Sequence, residues 1–117
     1  MAVRAVRGAI QIGNNDKKDI ESGVVRLIKK LVSDNELIVS NIISIIFSQT
    51  KDLDKMNPAS ALRTIGFDAT PLFCTQEPFV IGSMARVIRV LITVESVKNL
   101  NPVYLDGAKN LRLDINT

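Results

Sequence analysis

The chain has 117 residues, 46% of them hydrophobic, and 15 Lys and Arg against 12 Asp and Glu give it a net charge of +3. That length suits one domain spanning residues 1–117, in which folding hides roughly two-thirds of the unfolded surface. No apolar run approaches the ~18–20 residues that cross a bilayer, and a 4% aromatic content with no basic run longer than two residues disfavours nucleic acid as a partner. The apolar fraction is high for so small a chain, so part of that surface is expected to be buried between subunits. The N-terminus has no signal-peptide pattern, and a single unpaired cysteine fits a reducing compartment; a cytoplasmic location is expected.

In chain order, Val3 to Ile12 reads as a strand with Val3, Ala5, Arg7 and Ala9 on one face. Arg7 has small neighbours and room to reach forward, though the pattern equally suits a surface arginine on an edge strand. Asp16 is a good N-cap for a helix of about 18 residues, whose Ile20, Val24, Leu27, Ile28 and Leu31 make an apolar stripe at helical spacing. The helix is expected to end near Asp34-Asn35, and its charged face to be solvated. Val39 to Ser48 is a second strand, apolar on both faces and therefore central. Strand, helix and strand together form a right-handed parallel crossover unit. Asn57-Pro58 starts a short helix, PASALRTI, that stops at Gly66. Arg63 near its end suits either dipole compensation or binding.

Leu72 to Gln76 is the third strand, with Leu72 and Cys74 on one face and Phe73 and Thr75 on the other. Glu77, followed by Pro78, has the wrong parity to share a face with Cys74. The two can line one pocket only if the strand bends or ends there. Arg86 to Glu95 is the fourth strand. Arg89 lies in its apolar centre, RVIRVLITV, where an arginine is costly unless an anionic or polar group receives it; Glu77 is one such partner. Val103-Tyr104-Leu105 is a short fifth strand. A short helix or turn from Asp106 to Arg112 follows it, and a tail, 113–117, is expected to be flexible. The elements define an α+β fold, a mixed β-sheet with two main helices packed on one face.

The chain contains no histidine and one cysteine. A Cys–His pair, a Ser–His–Asp triad and most zinc sites are thereby excluded. No metal-ligand cluster and no cofactor motif is present. What remains is Arg7, Arg63, Arg89, Tyr104, Glu77 and Cys74, a set of anion binders with one carboxylate. Arginine forks recognise carboxylates in a bidentate way that lysine cannot match. The set suits a small dicarboxylate that also carries a hydroxyl, without naming a reaction.

Four motifs in order, VRAVRGA, CTQE, IRVLITV and VYL, resemble the monofunctional chorismate mutases of the small trimeric, pseudo-α/β-barrel type, and the resemblance covers essentially all 117 residues. It implies a homotrimer with sites at subunit interfaces, chorismate as substrate, no cofactor and no metal. Position by position, Arg7 matches an arginine that binds a substrate carboxylate, assisted by the tyrosine at Tyr104. Arg89 matches the arginine beside the ether oxygen of the breaking bond. Glu77 matches the carboxylate that receives the ring hydroxyl. Cys74 matches a cysteine lining the pocket, Arg63 an arginine at its mouth, and Leu111 and Arg112 the C-terminal segment that folds over it. The chain departs from the pattern at Asn57, where phenylalanine is familiar, and at Ser60, where lysine is.

The implied reaction is the concerted [3,3] rearrangement of chorismate to prephenate in aromatic amino-acid biosynthesis. It moves no proton, so it accounts for a site without histidine. Two other readings use a carboxylate-binding arginine on a similar architecture: a non-catalytic trimeric binder of small acids, and a deaminase of imines or enamines. Neither needs Arg89, Glu77 and Tyr104 together.

Overall fold

The two periodicities of the sequence, near 3.6 and 2, sort its apolar side chains onto two helices and one sheet. The computed structural model describes residues 1–111. In chain order these form β1 (Ala2–Gln11), α1 (Lys17–Asp34), β2 (Ile42–Gln49), α2 (Pro58–Arg63), β3 (Leu72–Gln76), β4 (Val87–Ser96), β5 (Val103–Leu105) and a 3-10 segment, Asp106–Leu111. Arg112 and the tail 113–117 lie outside the described residues.

The Asp16 carboxylate accepts a 2.7 Å hydrogen bond from the Asp19 backbone N–H, satisfying one of the donors left unpaired at a helix start. α1 then buries Ile20, Val24, Leu27, Ile28 and Leu31 along the expected stripe, each such burial contributing about 1.5–3 kcal/mol. Asn35 closes the helix and is itself buried. Its amide donates to the Leu31 and Asn101 carbonyls at 3.0 Å and accepts from the Asn101 N–H at 2.6 Å. Both ends of a buried amide are thus paired, and the end of α1 is tied to the segment leading into β5.

The sheet order is β3-β2-β4-β1-β5. β4 pairs antiparallel with both β1 and β2, while β3 joins β2 and β5 joins β1 in parallel. β1 and β2 therefore run in the same direction, as a strand–helix–strand unit requires, but they do not pair. β4, ten residues long and pairing with β1 along its whole length, lies between them.

Both helices pack on one face of this sheet. Val6, Ile10, Ile45, Phe47, Ile88, Val90 and Ile92 point toward them into a common core. The alternate residues point the other way and, except at Ala9 and Tyr104 where the 3-10 segment packs, are not covered: Val3 is 66% exposed, Phe73 65%, Ile46 40% and Leu91 38%, against 0–3% for Ile45, Phe47, Val90 and Ile92. β2 is central in the sheet, as its apolar run implied, yet only one of its faces is buried within the chain.

Several element boundaries move by one residue from the sequence expectation, and three shifts have a local cause. Val39–Asn41 is a 3-10 turn rather than the start of β2, because the Asn41 N–H closes on the Ile38 carbonyl at 2.8 Å. α2 ends at Arg63 rather than Ile65; the Ile65 and Phe67 N–H groups both turn back to the Leu62 carbonyl, and Gly66 takes a left-handed φ of 102°. Arg86 stands outside β4 with a φ of 53°. Its backbone N–H donates to the Asp52 carboxylate at 3.0 Å and its Nε to the Ile12 carbonyl at 2.9 Å, which fixes it at the corner instead of on the strand face.

Gly8 is where α1 and β5 come closest to β1. A Cβ there would lie 2.8 Å from Leu31 Cδ1 and 3.1 Å from the Val103 carbonyl oxygen. Gly8→Ala is expected to lower stability by about 1–3 kcal/mol through overpacking, read from the midpoint of urea unfolding at unchanged slope. A neutral result would show that Leu31 and β5 can move apart freely.

Candidate functional site

Pairing register and strand alternation together decide which side chains meet on the uncovered face. Cα partners line up Thr75, Ser48, Arg89, Ala9 and Tyr104 in one row across β3, β2, β4, β1 and β5. Two residues along each strand the next row is Phe73, Ile46, Leu91 and Arg7. Ala9 separates Arg89 from Tyr104; it is fully buried, and its small side chain lets Tyr104 pack against it. Arg7, Ile46, Ser48, Arg89, Leu91 and Tyr104 enclose a cavity of about 310 Å³, within the range of small-molecule sites.

Ser48 and Arg89 are held through Glu77, and Tyr104 by packing. The Glu77 N–H donates to the Gln49 carbonyl at 2.8 Å, so β3–β2 pairing continues one step past the strand and keeps Glu77 on the side of Thr75. One carboxylate oxygen, Oε1, accepts from the Ser48 hydroxyl. The other, Oε2, lies 3.4 Å from Arg89 Nε. Tyr104 is buried against Ala9, Ala108 and Leu111. The 3-10 segment that carries Leu111 is anchored at its start, where Asp106, with a φ of 55°, forms a two-pronged pair with Arg26 at 3.2 Å in each arm.

One expectation about Arg89 is corrected here. Its guanidinium is not enclosed within the chain, because it points to the uncovered face, where the side chain is 41% exposed. Glu77 is its ion-pair partner, the anionic group that its place in an apolar strand called for. At this exposure such a pair contributes about 1 kcal/mol or less to stability, too little to explain an arginine in the middle of an apolar sheet.

The structure brings Arg7, Arg89, Glu77, Tyr104 and Leu111 to one side of the sheet. Cys74 and Arg63 it places elsewhere. Cys74 is the register partner of Phe47 and faces the helices; its thiol donates to Asn57 Oδ1 at 2.9 Å. Arg63 is exposed in the last turn of α2. Both belong to the β3 edge, where Asn57, Cys74, Thr75, Gln49 and Gln76 border a separate cleft of about 380 Å³. Within one chain, therefore, Cys74 and Arg63 do not line the cavity that holds Arg89. Strand parity is the reason for Cys74, and for Arg63 it is the position of α2 on the opposite face of the sheet.

Among the described residues no group of three His, Cys, Asp or Glu is arranged to hold a metal ion, and no helix is long and apolar enough to cross a membrane. The family model described as "Chorismate mutase type I" matches residues 3–115. The chain belongs to the chorismate mutase type I family. It is 29% identical to chorismate mutase AroH of Bacillus subtilis (strain 168), over 98% of this chain and 94% of that protein. To chorismate mutase AroH of Thermus thermophilus it is 35% identical, over 97% and 96%. Among solved structures, a chorismate mutase from Clostridium thermocellum superposes with a TM-score of 0.89 at 40% identity, covering 92% of this chain and 98% of that one.

In this chorismate mutase Asn57 has a local task. Its side chain accepts from the Ala59 N–H at 2.9 Å as the cap of α2, and it also receives the Cys74 thiol. Ser60 lies in the first turn of the same helix, its N–H on the Asn57 carbonyl at 3.1 Å. Sequence reasoning missed Ser48, Ile46 and Leu91 as cavity residues. The signal for Ser48 was present: it is a hydroxyl at the open-face parity of an otherwise apolar strand, in register with Arg89.

Burial pushes the Cys74 thiol above its ordinary range, and the Ala59 backbone N–H and the Arg63 charge oppose this more weakly. A raised pKa means less thiolate at neutral pH. Alkylation of Cys74 at pH 7 is expected to be slower than that of a free cysteine, and slower again in Arg63→Gln, measured by mass shift against time. Reaction faster than the free amino acid would mean that the Arg63 charge outweighs burial.

Proposed function

We propose that this chorismate mutase carries out the isomerisation of chorismate to prephenate in the cavity between Arg7, Arg89 and Tyr104, as a step of aromatic amino-acid biosynthesis. The observation that carries the reading is the composition of that cavity: two arginines and a tyrosine line it, and one carboxylate, Glu77, is paired with Arg89 beside it, in a chain with no histidine. The substrate is a dicarboxylate with a ring hydroxyl and an enol ether. Its rearrangement breaks one C–O bond and forms one C–C bond with no proton transfer, so neither a general base nor a nucleophile is required.

Two effects remain for the protein to supply. The first is conformational: the floppy enolpyruvyl arm must be held over the ring, which turns a rare conformer into the bound one. Arg7 would take a carboxylate through its fork, with Tyr104 beside it, and Glu77 would accept the ring hydroxyl. The second is electrostatic. Negative charge grows on the ether oxygen as the C–O bond lengthens, and Arg89 would meet it with a charge already in place, at no cost of reorganisation. The apolar walls, Ile46 and Leu91, suit the carbon ring, and once a neighbouring subunit covers them they would lower the local dielectric.

The active unit we infer is a homotrimer with sites between subunits. Its support is the set of exposed apolar residues Val3, Ile46, Phe73 and Leu91 on one face, a surface of the kind that marks a contact, together with the placement of Cys74 and Arg63 away from Arg89. A neighbouring subunit could bring its β3-edge cleft, with Cys74 and Arg63, against this cavity and complete it. The single unpaired cysteine suits a cytoplasmic setting.

Purified protein is expected to consume chorismate, followed by loss of its absorbance. Arg89→Lys should fold normally yet lose about 10²–10³ in kcat, because one ammonium cannot reproduce the fork; turnover near the parent value would remove Arg89 from its role. In sedimentation velocity the protein should run as a trimer, and Phe73→Asp should shift it toward monomer with parallel loss of activity. An active monomer would refute the shared site.

A further inference from the structure

Ser48 is the polar member of the central row that none of the proposed steps uses. Its Cα partners are Thr75 on one side and Arg89 on the other. Its hydroxyl could remain in the open cavity it helps to line, yet it donates to Glu77 Oε1. The other Glu77 oxygen faces Arg89 Nε at 3.4 Å. The three side chains make a chain in which each fixes the next. The nitrogen of Arg89 that meets Glu77 is Nε, the one nearest its stem, and among the described residues its two terminal nitrogens donate no hydrogen bond. A carboxylate held by one oxygen alone can rotate about its terminal bond; held by both, it presents one fixed edge. An ion pair at Nε draws the guanidinium toward that edge, so the edge's orientation bears on how the fork is presented.

We propose that Ser48 is a positioning residue: its hydroxyl locks the Glu77 carboxylate in the orientation that sets the plane of the Arg89 fork in the cavity. This rests on the mutase reading for its kinetic consequence but not for its geometry. Hydrogen bonds to a charged group are among the stronger ones, and a second oxygen anchored by a short side chain on a paired strand costs little ordering entropy. The hydroxyl, not the size of the side chain, carries the effect. Threonine at the same strand position retains it, and suits a strand.

The test compares the parent with Ser48→Ala, Ser48→Thr, Glu77→Gln and the double variant Ser48→Ala/Glu77→Gln, with two readouts. In chorismate turnover, Ser48→Ala is expected to lower kcat about tenfold, with a smaller change in KM, and Ser48→Thr to restore most of it. In the Glu77→Gln background, removing the hydroxyl should add little, because the two act through one chain. In the second readout, the Arg89 Nε–Hε signal in a 15N-labelled sample, assigned by its loss in Arg89→Lys, should be sharp in the parent and Ser48→Thr. In Ser48→Ala it should broaden. That signal does not depend on turnover, so a protein inactive on chorismate but with the expected spectra would overturn the mutase reading and leave Ser48 in place. Parent-like kcat and spectrum in Ser48→Ala, or fully additive losses in the double variant, would overturn the proposal. A merely structural role would lower the melting temperature equally in both backgrounds and leave the Arg89 signal sharp.

Discussion

Arg89 sits at the centre of a five-stranded sheet, flanked by apolar residues on its own strand, and that position constrains everything around it. A guanidinium there cannot face the helices, where Ile88 and Val90 are packed with almost no exposure. Alternation sends it to the opposite face. On that face it needs a counter-charge within reach, and among the described residues the carboxylate paired with it, Glu77, arrives from the end of β3 two strands away. The Glu77–Gln49 backbone bond and the Ser48 hydroxyl each follow from accommodating one charge. The pair itself contributes too little to folding to justify the arrangement. Its justification is a charge already oriented toward a cavity.

The same alternation divides the functional residues. Odd-numbered positions of β4 carry Arg89 and Leu91 to the uncovered face, while on β3 Cys74 turns inward and Thr75 outward. Glu77, three residues after Cys74, must then lie across the sheet from it. The motif CTQE, compact in sequence, thus points to both sides of the sheet at once. A second subunit can reconcile these directions, because the edge strand β3 is the place where a neighbour could meet both the cleft at Asn57 and the open face at Phe73.

Much of this was legible in the residues. The helix α1 and its cap, the strand β3, the parity conflict between Cys74 and Glu77, and the space around Arg7 all follow from local periodicity and from which side chains fit which turns. The rest depended on pairing. Insertion of β4 between β1 and β2 is a non-local choice, and nothing within β1–α1–β2 encodes it. Only after that insertion do Ser48 and Arg89 become neighbours, 41 positions apart in the chain. Arg86 was misread for a related reason: its strand-like alternation is overridden by Asp52 and Ile12, which hold it in a left-handed corner. Exposure of Arg89 was hidden too, since an apolar stretch looks the same whether its second face meets helices or another chain.

A sheet with one face left open has a thermodynamic consequence for the enzyme reading. Val3, Ile46, Phe73 and Leu91 are apolar surface that folding of one chain does not remove from water. If a neighbouring subunit removes it, then part of the hydrophobic stabilisation belongs to assembly, and the stability of each chain depends on protein concentration. The cavity shares this dependence, because its walls Ile46 and Leu91 belong to that same surface. Closing the face would dry the surroundings of Arg89 and strengthen its field on a growing negative charge. Assembly and catalysis would then draw on one surface, and the arginine that is awkward in a single chain becomes effective only where chains meet.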